Sequence, residues 1–114
     1  MIDKTKEQKK IVKKLKTIIA DIDENKKRVL ETALERIAFM IVELKELEFE
    51  IAEKGCTEIY QNGANQSGVK VSAASQVYNS LVKNYTALMK EILSNLPKES
   101  KQDKNALMEF LKDG

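Results

Sequence analysis

The residue type this chain concentrates most tightly is lysine, at a spacing suited to binding phosphate. Residues 1–20 hold seven lysines against Asp3 and Glu7. Lys6, Lys9, Lys10, Lys13, Lys14 and Lys16 recur at the three- and four-residue intervals that place side chains on one broad face of a helix. Lysines in such an array neutralise DNA phosphates, giving strong, salt-sensitive and largely sequence-independent binding, more so when multiplied by an oligomer. Two other readings use the same residues. The lysines can be the solvated back of an amphipathic helix, or a basic face resting on a membrane surface. The last ranks lowest, because no Trp or Phe stands among them and the Ile/Leu stripe beside them is needed for packing.

Covalent chemistry finds no such constellation. Histidine, the commonest general base near neutral pH, is missing altogether. Cys56 is the single cysteine, so it has no disulfide partner in the chain, no second thiol or imidazole for zinc and no evident activating group. Ser67, Ser72 and Ser75 fall where turns and helix caps ask for serine. The carboxylates spread along a helix face in pairs such as Glu50 with Lys54. Gly63 and Gly68 are expected to follow no strand, and no Gly-Lys-Ser/Thr comes after them, so they do not read as a phosphate loop. The expectation is a non-enzymatic protein with no metal and no cofactor. A lone thiol, an apolar run of only six residues at 37–42 and the lack of a signal-peptide pattern point to the cytoplasm, with no membrane partner.

The elements that must position these groups are read from periodicity. Ile11, Val12, Leu15, Ile18, Ile19 and Ile22 form one helical stripe, so residues 1–22 are expected to be a basic amphipathic helix, capped by Asp3. It breaks near Asp21 to Asp23, where Asp21 and Glu24 have the spacing of a capping box. A second helix runs from Asp23 to Lys54, with Gly55 at its end. Along it Leu30, Ala33, Ile37, Met40, Leu44, Leu47 and Ile51 alternate in steps of three and four, a heptad seam. Leu34, Ala38, Ile41 and Ala52 widen that seam. At about 1.5 Å per residue this helix is roughly 48 Å long, more than a compact domain of this size covers. Leu30, Ile37, Met40, Ile41, Leu44, Leu47 and Ile51 are therefore expected at an oligomer interface. A third helix, capped by Ser72, carries Val77, Leu81, Val82, Tyr85, Leu88, Met89, Ile92, Leu93 and Leu96 to Pro97.

Residues 23–97 thus read as a helical hairpin, the oligomerisation core, with a polar loop at 55–72. Residues 98–114 read as a flexible tail whose Leu107, Met108, Phe110 and Leu111 are either frayed or a short amphipathic anchor for a partner's groove. Charge is segregated along the chain: residues 21–60 hold eleven acids against six bases, so a basic head precedes an acidic middle.

The loop is unlike anything else in the sequence. It holds three of the four glycines, and its Tyr60, Asn62, Asn65, Gln66 and Lys70 offer amide and hydroxyl hydrogen bonds with little charge. The expectation is that it caps the hairpin at a subunit interface. YQNGANQSGVKVS followed by VYNSLVKNYTALMKEILSNLP resembles the C-terminal half of a group of terminase small subunits of tailed bacteriophages. The matching positions are Tyr60, Asn62, Gly63, Asn65, Gln66, Gly68, Lys70, Ser72, Tyr78, Asn79, Lys83, Tyr85, Leu96 and Pro97, so the resemblance covers residues 56–97. It implies a component of a viral DNA-packaging motor, located in the host cytoplasm, that forms a homo-oligomeric ring. Such a component binds double-stranded viral DNA and regulates the large terminase subunit, which holds the ATPase and nuclease. The helix-turn-helix of many such proteins is not recognisable here. The expected fold is all-α, an N-terminal basic helix plus a long helical hairpin in a ring-like bundle. Rival functions are a cytoplasmic coiled-coil scaffold or adaptor and a small phage transcription regulator.

Overall fold

The computed structural model describes residues 3–20, 22–96 and 101–113. In chain order they form α1 (Lys4–Ile18), α2 (Glu24–Lys54), β1 (Thr57–Gln61), β2 (Ser67–Val71), α3 (Ala73–Asn95) and α4 (Lys101–Asp113). The fold is mostly helical, and the two strands correct the all-α expectation.

Each helix starts and stops where local chemistry directs. Asp3 accepts a hydrogen bond from the Lys6 amide at 3.2 Å, satisfying one of the free donors of the first turn of α1. Asp23 occupies the N-cap position of α2 without a side-chain bond, and Asp21 lies outside the described residues. α2 ends at Gly55, whose φ of +86° is a backbone conformation that L side chains rarely adopt. Ser72 caps α3 by accepting from the Ser75 amide at 3.1 Å. α3 stops at Asn95, just before Pro97, which is itself outside the described residues.

α2 is the spine. α1 runs antiparallel to its first two thirds, because Lys4 reaches Glu43 and Glu46 at 3.1 and 2.7 Å while Lys16 reaches Glu35 at 3.6 Å. α3 returns along α2, and α4 lies against α1. The core is a single cluster drawn from all four helices, including Ile11, Leu15, Leu34, Ile37, Ile92 and Leu107. Leu30, Ile37 and Leu44 of the seam are buried, and Met40, Ile41, Leu47 and Ile51 are half-buried. From Leu30 to Leu44, the first part of the stretch where partner chains were expected as cover, α1 and α3 of the same chain pack against α2.

The segment 55–72 is not an irregular loop. β1 and β2 pair antiparallel with Thr57 opposite Val71, Ile59 opposite Val69 and Gln61 opposite Ser67. Strand chemistry was present in Ile59, Val69 and Val71, set at alternate positions, but glycines and amides masked it. Asn62 donates its amide to the Gln66 carbonyl at 2.7 Å, and Gly63 at φ +76° makes the turn that closes the ribbon.

The tail also departs from expectation. Residues 98–100 lie outside the described residues, but from Lys101 the chain is helical, and Leu107 is fully buried in the core with Phe110 and Leu111 packed beside it. The i, i+3, i+4 spacing of those three residues gives one apolar stripe, which closes on the chain's own α1.

The molecule measures 64 × 28 × 22 Å with a radius of gyration of 18.1 Å. A compact chain of this length would have about 13 Å. The excess is the far end, where the last ten residues of α2, the ribbon and the start of α3 project beyond the four-helix body.

Candidate nucleic-acid interface and assembly surfaces

The lysines of α1 divide by what α2 offers them. Ile11 and Leu15 set the buried side of the helix, and at 100° per residue Lys6, Lys9 and Lys13 stand on the opposite side. Lys16, one of the six candidate DNA contacts, is paired with Glu35, and Lys10 is 3.9 Å from Glu7. Among the described residues Lys6, Lys9, Lys13 and Lys14 are in no ion pair, and all four are exposed. Lys9, Lys13 and Lys16 also border a shallow recess of about 460 Å³ against α2, with Thr5, Gln8, Val12 and Glu35 completing it. The outer face of α1 is thus a strip of free cations held rigid by a buried apolar face. Its chemistry is attraction for a line of anions rather than recognition of one shaped ligand.

A second recess, about 650 Å³, lies where α1, α2, α3 and α4 meet. Ile11, Ile41, Leu44, Tyr85, Phe110 and Leu111 form its apolar floor, with Glu7, Lys10, Lys14, Lys45 and Glu48 around it. Burial here raises the Tyr85 hydroxyl above its ordinary pKa, so that phenol stays neutral. Of the four tail residues expected to contact a partner, only Met108 faces outward, at 41% exposure.

The loop candidates all lie on the ribbon. Tyr60 lays its ring over Gly68: a Cβ added there would sit 3.0 Å from the ring and hydroxyl atoms. Lys70 stands 5.9 Å from the Tyr60 ring centroid and 3.6 Å from Glu58. Asn62, Asn65 and Gln66 are exposed at the tip, and among the described residues their side-chain amides have no hydrogen-bond partner. At the base of the arm the Tyr78 hydroxyl donates to Glu48 Oε2 at 2.9 Å, tying α3 to α2.

Of the large exposed apolar side chains of the arm other than Tyr60, the sequence periodicity picks out only Val77, and places it in the α3 stripe, where it stands exposed instead. Phe49, Ile59, Val69, Val71 and Val77 all lie open on the arm. The alternation of Thr-Glu-Ile-Tyr-Gln and Ser-Gly-Val-Lys-Val was the signal available for the ribbon's share of them.

Among the described residues no group of three or more Cys, Asp or Glu side chains is placed to hold a metal ion, and Cys56 is free and exposed. Among the described residues no helix is long and apolar enough to cross a membrane. No family model, curated protein or solved structure matches the chain.

Proposed function

We propose that this chain is a non-catalytic viral DNA-packaging protein of the terminase small-subunit kind. It assembles with copies of itself, binds double-stranded DNA through the outer face of α1, and recruits or regulates a large subunit that supplies ATPase and nuclease activity. The observation that carries the DNA part is the strip of Lys6, Lys9 and Lys13, exposed, free of ion pairs among the described residues and set opposite the buried Ile11 and Leu15 on α1. Lysines serving only to solubilise the helix have no need to escape the carboxylates that hold Lys4 and Lys16. Sequence-independent phosphate contact suits a motor component that must hold DNA while it moves.

The coiled-coil scaffold loses ground on one observation: Leu30, Ile37 and Leu44 of its seam are filled from within the chain. Recruitment of the large subunit falls on α4, through the Met108 side that α1 leaves uncovered.

The test is DNA affinity against salt concentration for the wild type and for Lys6→Ala/Lys9→Ala/Lys13→Ala. Every lysine–phosphate pair removed lowers the log–log slope by about 0.9, so the triple variant is expected to bind more weakly and with a slope shallower by about 2 to 3 per bound copy. An unchanged slope removes α1 from the DNA interface.

A further inference from the structure

The ribbon at the end of the arm is satisfied on one face and bare on the other. The register places Glu58, Tyr60, Gly68 and Lys70 on one side, where Lys70 pairs with Glu58 and the Tyr60 ring closes over Gly68. The opposite side carries Ile59 and Val69 directly across from each other and Val71 two residues on, exposed to 83%, 67% and 46%. Two strands alone are marginally stable in water and need a third strand or a packed face. Among the described residues nothing supplies one: β1 and β2 are a two-stranded sheet with both outer edges unpaired.

We infer that this face is covered by a second copy of the chain, with the Ile59–Val69–Val71 faces of two ribbons stacked against each other. The inference rests on the self-assembling reading above and moves the subunit contact from the α2 seam to the arm. Charge selects the occupant. From Ile59 to Val69 the ribbon has no charged side chain, and the flanking Glu58 and Lys70 neutralise each other on the far side. DNA or an acidic peptide would meet no cations on this face, whereas two identical neutral faces meet without like charges opposed. β-Branched side chains on facing sheets interdigitate in the way sheet cores do. Three side chains alone fall short of the roughly 800 Å² per partner of a standard interface, and Phe49 and Val77, exposed on the helices carrying the ribbon, extend the apolar surface of the same arm.

The experiment is sedimentation velocity over a wide concentration series, on the wild type and on Ile59→Thr/Val69→Thr, which keeps β-branched residues in both strands. Association is expected to weaken by about tenfold or more in the variant, with helical circular dichroism and melting unchanged. On a Cys56→Ser background, oxidised glutathione should trap dimers of Val69→Cys but not of Lys70→Cys, which points to the other side. A wild type that stays monomeric, a variant that assembles as the wild type does, or equal trapping at 69 and 70 each overturns the inference. Lysine-dependent binding to a short duplex, measured on the monomeric variant, separates the two readings. Wild type that assembles through the ribbon yet ignores DNA keeps this contact and removes the packaging role.

Discussion

The body and the arm are built from the same two helices, and they differ in everything but the helices. In the body, α2 up to Leu44 and α3 from Met89 onward bury their stripes, and Leu15, Ile19, Leu34, Ile37 and Leu107 are fully enclosed. In the arm, between Leu44 and Met89, the only buried residue among those described is Ser75. Helix-forming tendency cannot be the cause, since α2 and α3 run through both regions unbroken. The cause is length. α1 has 15 residues and α2 has 31, about 22 Å against about 46 Å, so α1 and the α4 that rests on it reach only part of the way. The chain thus builds its core at one end and leaves most of its large exposed apolar side chains at the other.

The sharpest way to break that comparison is to truncate side chains on both sides of it. Leu34→Ala or Ile37→Ala removes a fully buried side chain from the body and is expected to cost about 2 to 5 kcal/mol. Phe49→Ala, on the arm, should change monomer stability by no more than about 0.5 kcal/mol. Urea unfolding of dilute protein followed by circular dichroism measures both. Comparable losses at Leu34 and Phe49 would mean that the arm carries hidden packing.

The next largest effect concerns α4. Leu107 is fully buried, so Leu107→Ala is expected to destabilise the body by about 2 to 3 kcal/mol, and deletion of 98–114 should lower the melting temperature as well. A flexible tail that does not pack on the body, the expectation from sequence, would leave both unchanged. For the packaging reading the distinction matters, because a tail deletion that abolished stimulation of a large subunit would then mix unfolding with removal of the docking surface. Met108→Ala, on the exposed side of α4, tests that surface without touching the core.

What the sequence disclosed follows from how each signal is made. The caps at Asp3 and Ser72, the stop at Gly55 and the stripes of α1, α2 and α3 are local, and periodicity states them directly. The partner of a stripe is not local. Leu30 to Ile51 announce a helix that needs cover, but nothing in their spacing says whether α1, α3 or another chain provides it. The ribbon was hidden for a different reason: five-residue strands with Gly68 inside one of them give too little alternation to outweigh their polar composition. α4 was hidden by its first turns, Lys101 to Asn105, whose polarity resembles a linker until Leu107 has a neighbour. The lysines of α1 were legible as a group, and Lys10 with Glu7 has the i,i+3 spacing of a local helical pair, whereas the pairing of Lys16 with Glu35 needed the fold.

A smaller effect separates the arm's backbone from the body's. Gly63 holds φ +76° with open space around its Cα, so Gly63→Ala introduces no clash but a strained backbone, worth about 1 to 2 kcal/mol. If the ribbon opens independently of the helices, hydrogen exchange of residues 57–71 should speed up while α1, α2 and α4 keep their protection. Faster exchange throughout would make ribbon and body one cooperative unit.

The smallest effect lies at the junction of the two regions, where Tyr78 on α3 donates to Glu48 on α2. That hydrogen bond, then desolvation and the Glu48 charge, raise the Tyr78 pKa above its ordinary value of 10.0. A phenol with a raised folded pKa is favoured in its neutral form by the fold. Its contribution is therefore whole below the ordinary value and is lost as pH rises through the raised one. At neutral pH, Tyr78→Phe should cost no more than about 1 kcal/mol, since the bond is partly open to water. The difference in stability between wild type and variant should hold constant through the neutral range and shrink only at alkaline pH. Tyr85, raised by burial alone, is present in both proteins and cancels from the difference. Glu48→Gln keeps an acceptor but removes the charge, so it should retain most of the neutral-pH stability and lose part of the alkaline dependence. A difference that stayed flat into the alkaline range would mean that Tyr78 does not clamp the arm to the body, and that the two long helices alone set its direction.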